Sequence, residues 1–437
     1  MGAMAEQRYL YDIDDHPPIR LGVLYGFQWA VIMFPALIVV SNLSCQALQT
    51  DVSGAIRFFQ LVLLTSGLQT LCQCLWGHRY PILDGPSTAL LLTFVTLAPY
   101  GIQTIQGGTI AGSVLLVLLV ASRKLERAIA WATPNVVGVI LMLIAFTLLP
   151  HLLRSLIGVS PAEPHGSGMV FVLSLLLVTV TAGLAHWLRG FLKTVALLIG
   201  MVLGTIAFLV LQRVEVQGVL QAQWFRMPVL WTPIEPSVYW PALLAFASSY
   251  VAVLVNSLGS LHGVARITDN ARLPEAISRG VLVNGLGGIC CGLLGLVGTV
   301  SYSMSPGVIL ANRVASRYAV AWCGIIMIAA AFLPKLAALL SMIPGPVVGA
   351  ALCTAMGAQV GAGLAVVAGG GPTVRDYFVV GLPLLIGTMV GFLPEPFMAS
   401  MPTSLRVFCG NGLIVGIVLV LALEHLVLRK PKDARPA

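Results

Sequence analysis

The chain has 437 residues, 58% of them hydrophobic and only 9% charged, with a mean hydropathy of +0.95. A soluble domain carries about 25% charged residues, so this composition excludes a soluble enzyme and describes a polytopic membrane protein. The net charge of +8 would suggest nucleic acid in a soluble chain; here it asks which loops hold Lys and Arg, because cytoplasmic loops collect them.

The opening stretch 1–20 is polar and acidic, and the apolar run after it is too long for the core of a cleavable signal. Apolar runs long enough to cross about 30 Å give fourteen expected segments: 21–43, 54–77, 84–99, 107–122, 134–153, 167–187, 192–211, 238–262, 280–298, 301–312, 316–333, 346–367, 376–394 and 410–428. The third and tenth are short and broken. An even count puts both termini on one side. With that side cytoplasmic, the inner loops and tails hold 18 of the 24 Lys and Arg, and the outer side holds Arg57, Arg154, Arg213, Arg226, Lys335 and Arg406. This bias predicts a cytoplasmic N-terminal tail (1–20) and C-terminal tail (429–437), with the polar stretch 212–236 as an external linker.

The halves read as repeats. Ala132-Thr-Pro134-Asn-Val-Val-Gly-Val139 opens the fifth segment and Ile343-Pro-Gly-Pro346-Val-Val-Gly-Ala350 the twelfth, with Pro134 and Pro346 close to half the chain apart. Seven spans per copy is odd, so the second copy must cross the membrane in the opposite sense. The predicted fold is an all-α membrane protein with a seven-plus-seven inverted repeat.

The chemistry is expected where the spans break. Asp84-Gly85-Pro86-Ser87-Thr88-Ala-Leu90 and Thr299-Val-Ser-Tyr-Ser303-Met304-Ser305-Pro306-Gly307 are separated, at Pro86 and Pro306, by a similar half-chain offset. Interrupted backbone at membrane depth is tolerated only when buried in protein or lining a polar cavity. Proline and glycine there permit a short extended piece followed by a helix start. A proline kink would account for either stretch alone, whereas a corresponding pair points to a transporter's binding site. In segment eight, Asn256, Gly259, Ser260 and Gly263 recur at i, i+3, i+4 and i+7, one helix face. Such a stripe is either inward-turned or a small-residue helix contact. The candidate substrate-binding residues are Gln28, Ser87, Thr88, Asn256, Ser260, Ser303, Met304, Ser305 and Gly307.

No span carries a central Asp, Glu, Lys or Arg. Asp84, at the start of segment three, is read as a cap or loop contact, or as the coupling residue if one exists. His262 and Arg313 sit near the inner ends of segments eight and ten. The glycine-rich Gly285–Gly292 run has no strand or basic partner and reads as close helix packing. The eight cysteines have no metal or redox spacing, and no nucleophile–base pair is evident, so neither cofactor, metal nor enzymatic activity is expected. The partners expected are a small-molecule substrate and the lipid bilayer, with no nucleic acid; monomer and homodimer both stay open.

Four stretches resemble the nucleobase–ascorbate transporter family, which includes uracil and xanthine permeases: Tyr25–Ala36, Gly85–Ala89, Pro306–Arg317 and Phe332–Gly349. The resemblance covers most of the chain. It implies a core domain of segments 1–4 (21–122) and 8–11 (237–333) and a gate domain of segments 5–7 (123–211) and 12–14 (334–428). The substrate would sit between segments 3, 8 and 10 and be moved by an elevator-like shift. In the family's nucleobase carriers, segment eight has a Glu where this chain has Asn256, and segment ten has Glu or Gln followed by Asn where it has Met304-Ser305. An aromatic residue aligns with Thr88, and the usual Gln-His is Gln28-Trp29. The expectation is therefore a transporter of a small polar solute, most simply a purine or pyrimidine such as uracil, xanthine or urate. The alternative is a small anion, carried as in SulP-type transporters of the same layout.

Overall fold

A computed structural model of the chain describes residues 9–123, 125, 129, 131–159, 163–211, 217–369, 371–402, 406 and 410–429. Local chemistry sets most helix starts. Helix α1 (Ile19–Ala47) follows Pro17-Pro18. Helix α2 (Val52–Leu75) starts at Asp51, whose carboxylate accepts the Gly54 N–H. Strand β1 (Asp84–Pro86) and the short helix α3 (Thr88–Leu97) come next. Gly101, at φ +90°, turns the chain into α4 (Ile102–Ala121), which therefore begins earlier than the apolar run at 107 suggests. The fifth run is two helices, α5 (Pro134–Thr147) and α6 (Leu149–Leu156), because Pro150 has no N–H to continue the ladder.

Helices α7 (Gly168–Trp187) and α8 (Ala196–Val210) complete the first half. The second half holds α9 (Trp240–Ile267), α10 (Leu273–Leu293), β2 (Thr299–Ser301), α11 (Ser305–Asn312), α12 (Arg317–Ala331) and α13 (Pro334–Ser341). It ends with α14 (Gly345–Gly369), α15 (Val374–Val390) and α16 (Gly412–Ala422). Helix α10 starts at Leu273, well before the apolar run at 280, with Pro274 in its first turn. Among the described residues, eight helical stretches are long and apolar enough to cross a membrane, or nine if the α12–α13 pair, bent by 94°, is one span. Shorter apolar helices stand at the third, seventh and fourteenth expected segments. The molecule is a mostly helical, multi-pass membrane protein.

Two packing groups organise these helices. In one, α2 lies on α12, α4 on α10 and α9, α1 on α12, and α3 on α9. In the other, α14 lies on α5, α7 and α8, while α16 lies on α15 and α5. Glycines make the tightest of these contacts. A Cβ at Gly67 would stand 2.7 Å from the Gly324 carbonyl oxygen, and one at Gly324 would stand 2.7 Å from that of Gly67. Gly138 and Gly363 repeat this reciprocal contact between α5 and α14, also at 2.7 Å. Gly285, Gly288 and Gly292 face α4 through Ser113 and Ile110, so the glycine-rich run is a packing surface, as its sequence indicates.

The linker residues after 216 are tied to the first group. Trp231 Nε1 donates to Leu294 O (3.0 Å), and Gln106 Nε2 donates to Pro233 O (2.9 Å). At the opposite end, Tyr11 bridges Val314 and the Asp14 carboxylate binds both Arg272 (2.8 Å) and Arg317 (2.7 Å). The hydrogen bond from Arg272, with that from Arg317, holds the Asp14 carboxyl below the usual carboxylate range.

Gly67→Val is expected to lower thermal stability in detergent markedly, since overpacking against backbone typically costs about 1–3 kcal/mol. Gly259→Ala, whose new Cβ meets nothing within 4 Å, is the control. Equal melting temperatures for the two variants would contradict this packing account.

Candidate functional site

The two broken segments meet as a ribbon. Strand β1 pairs antiparallel with β2, matching Asp84 with Ser301, Gly85 with Val300 and Pro86 with Thr299. The ladder continues at both ends, from Ser87 N to Gly298 O (2.9 Å) and from Tyr302 N to Leu83 O (2.8 Å). Interrupted backbone is thereby hydrogen-bonded within protein, which the apolar surroundings demand. Because the strands are antiparallel, α3 leaves from the Pro86 end and α11 from the Ser301 end, each starting within a few residues of the ribbon. Gly85 lies tightly packed: a Cβ there would press on Met33 Cε and the Tyr302 hydroxyl.

Three serines hold this arrangement. Ser87 caps α3 by accepting Leu90 N–H (3.4 Å). Ser260 on α9 donates to Ser301 O (2.8 Å). Ser305 accepts Leu83 N–H (3.2 Å) and donates to Tyr302 O (2.9 Å), joining the two segments at one atom. All three are buried, so their hydroxyls position backbone. Gly263 brings α9 against Pro306, where a Cβ would be 3.1 Å from Cγ. Two members of the segment-eight stripe, Ser260 and Gly263, therefore meet broken segment ten.

The remaining candidates are more open. Thr88 and Gln28 are half-buried, as is Asn256, one helical turn before Ser260. Ser303, Met304 (45% exposed) and Gly307 are exposed, and positions 259 and 307 face open space. Thr88 and Met304 thus mark the starts of the two half-helices, with Asn256 on the helix that binds the ribbon. His262 is exposed and its Nδ1 pairs with Leu258 O (2.8 Å) on its own helix. Arg313, left-handed at φ +53°, ends α11 and accepts Leu10 N–H at its carbonyl.

Asp84 is not a helix cap. It is wholly buried in β1, with Oδ1 accepting from Ser301 Oγ (2.7 Å) and Oδ2 facing His78 Nε2 (3.1 Å). Thr70 clasps its backbone by donating to Asp84 O and accepting Asp84 N–H. His78 went unread in the sequence because it sits in a short polar turn, though its place shortly before Asp84 was a usable signal. Also missed was the amide network under the ribbon. Gln69 and Gln73 of α2 donate to Asn284 Oδ1 (2.9 and 3.1 Å), and Asn284 Nδ2 donates to Ser257 Oγ (3.0 Å). Two glutamines at i and i+4 in an apolar helix are the signature that could have found it.

With this geometry in hand, comparisons with known proteins are specific. The sequence profile of the Permease family (Xan_ur_permease) matches residues 22–396, and the chain belongs to that family. Its members are permeases, not enzymes. The chain is 25% identical to the uric acid permease PucK of Bacillus subtilis (strain 168), covering 96% of this chain and 98% of that one. It is 24% identical to the xanthine permease of the same organism, covering 93% and 94%, and 27% identical to the uracil permease of Escherichia coli (strain K12), covering 77% and 76%. Among solved structures, murine Slc26a9, an anion transporter in the inward-facing state, superposes with TM-score 0.65 at 12% identity, covering 96% of this chain and 69% of that one. The transmembrane domain of the cyanobacterial bicarbonate transporter BicA gives 0.56 at 13% identity, covering 94% and 98%. At such identities these two establish a shared fold and no more.

Ser305→Ala is expected to cost about 1–3 kcal/mol of stability, because it strands the buried Leu83 N–H. The exposed Ser303→Ala should cost nothing measurable. Thermal unfolding in one lipid or detergent compares them, and an unaffected Ser305→Ala would contradict the joining role.

Proposed function

We propose that this member of the Permease family carries a nucleobase across the membrane, a purine or pyrimidine such as urate, xanthine or uracil, as a secondary or facilitative transporter. The names of its full-length sequence relatives support the substrate class. The observation that carries the site is the β1–β2 ribbon joining the two broken segments, beside the partly open Thr88, Asn256 and Met304. A nucleobase edge alternates hydrogen-bond donors and acceptors, and the Asn256 amide offers one of each. The anion alternative rests on backbone architecture alone.

We further propose fourteen spans in a seven-plus-seven inverted repeat. In support, the packing pairs exchange when the halves are swapped: α2–α12 corresponds to α4–α10, α1–α12 to α9–α4, α7–α8 to α15–α16, and α8–α14 to α16–α5. The core would be 21–122 with 237–333, and the gate 123–211 with 334–428. They touch where α1 meets α14 and α8, and where α9 meets α5 and α16. An elevator-like movement would slide this contact, including the Asn411 Nδ2 bond to Thr93 Oγ1 (3.1 Å). Cytoplasmic termini and an external 212–236 follow from the Lys and Arg distribution. Asp84 is the coupling candidate, since Asn256 cannot titrate.

Uptake of radiolabelled uracil, xanthine and urate against simple anions in proteoliposomes tests the substrate class. Nucleobase uptake is expected, and Thr88→Trp should abolish it while the protein stays folded; wild-type uptake in that variant would sink the placement. For topology, external maleimide should label Gln223→Cys and spare Arg435→Cys in a cysteine-free background, and the reverse pattern would overturn the orientation.

A further inference from the structure

We propose that Asp84 is a single-proton site on the ribbon, with His78 as its fixed positioning residue and the rotating Ser301 hydroxyl as the part that reports its protonation. The inference rests on the coupling role proposed for Asp84 above. His78 Nδ1 accepts the Tyr80 backbone N–H (3.0 Å), so the ring is the neutral tautomer whose Nε2–H donates to Asp84 Oδ2. A doubly protonated ring would aim an N–H at the Tyr80 N–H. The hydrogen bonds therefore suit the singly protonated ring, and the exchangeable charge proposed for the pair is the carboxylate's. Among the described residues, no Lys or Arg hydrogen-bonds that carboxylate.

The proton goes to Oδ1. Oδ2 already faces a fixed donor, whereas the partner of Oδ1 is a hydroxyl that can rotate. A hydronium proton forms the new Oδ1–H bond, water is left behind, and the carboxylate charge falls from −1 to 0. Ser301 then turns from donor to acceptor, which frees its own O–H at the ribbon position whose carbonyl is bound by Ser260. Protonation is thereby felt at β2, from which α11 leaves.

Access is from a cavity of about 500 Å³ at the end of the core group that carries the N-terminal tail, lined by Gly77, His78 and the charged residues Asp14, Arg79, Asp269, Arg272, Glu275, Arg279 and Arg317. Arg272, Arg279 and Arg317 pair within that set, with Asp14, Asp269 and Glu275, so the cavity's charges largely compensate one another. His78 lines the cavity and Asp84 does not, and both side chains are wholly buried, so residue 78 separates the cavity from the carboxylate. The other titratable groups that face Asp84 are Cys74 on α2 and Tyr302 after β2; Cys323 and Arg317 on α12 face Cys74, Tyr80 stands beside His78, and Met33 of α1 meets Gly85.

Infrared difference spectra of the full chain in lipid, recorded across pH without substrate, test this. Acidification should produce the carbonyl band of a buried protonated carboxylic acid, and Asp84→Asn should lack it. In His78→Phe the midpoint of that band should rise by about one pH unit, tenfold in proton affinity, for the loss of one hydrogen bond to the anion. Ser301→Ala should move it in the same direction, and His78→Gln, which keeps a donor, should stay near the wild type. An absent wild-type band, a band undiminished in Asp84→Asn, or one midpoint shared by wild type, His78→Phe and Ser301→Ala overturns the proposal. Xanthine counterflow at fixed pH is read separately: its absence beside the expected spectra would fail the nucleobase reading and leave the proton site standing.

Discussion

A chain that stops being helical inside apolar surroundings must still pair its backbone, and two segments from opposite halves of the sequence do so here by pairing with each other. Among the described residues neither β1 nor β2 has another strand to lean on; each is three residues long and would be unsatisfied alone. The ribbon therefore holds the halves of the chain at one point and fixes the starts of α3 and α11. Ser305, Ser260 and Ser87 secure it, and the amides of Gln69, Gln73 and Asn284 join α2 to α10, the helices that pack on β1 and β2. What stays open around this rigid centre is short: the side chains of Thr88, Asn256, Ser303 and Met304 and the bare backbone at Gly259 and Gly307. A hydrogen-bonded backbone thus stands beside a few groups that it leaves unoccupied.

The same constraint explains the distribution of charge. A carboxylate at the centre of a membrane helix costs roughly 2.5–3.5 kcal/mol to insert. Asn256 avoids that cost, and the one acidic group at the ribbon, Asp84, meets it with donors from Ser301 and His78. A buried acidic pair lies in the other packing group. Arg375 there binds Asp376 (2.8 Å) and Glu424 (3.0 Å), and Asn135 bonds Asp376 (2.7 Å) and Glu424 (3.3 Å). That cluster ties α5, α15 and the π-helical turn Leu423–Val427 together.

The break points were legible in the sequence because proline and glycine leave few alternatives: Gly85-Pro86 and Pro306-Gly307 each sit where a short extended piece passes into a helix, as expected. The segment-eight stripe was legible too, since Ser260 and Gly263 both reach the second broken segment. Individual hydrogen bonds were not. Ser87, Ser260 and Ser305 are spent on backbone, which residue type cannot reveal, and Asp84 takes a partner from the preceding turn. Gln69, Gln73 and Asn284 were hidden by the apolar residues around them, because a window that scores hydropathy averages three amides away. Helix limits failed where one residue decided them, at Gly101 before α4 and at Pro150 between α5 and α6.

The central claim is that solute binds at the ribbon, between the half-helices and α9. It is tested most directly by ligand protection of cysteines placed at Asn256 and Met304 in a cysteine-free background. Xanthine, urate or uracil, whichever is bound by the purified protein, is predicted to slow maleimide alkylation at both positions and to leave a cysteine at exposed Leu385 unaffected. Unchanged alkylation at both positions while the nucleobase is bound would contradict the account.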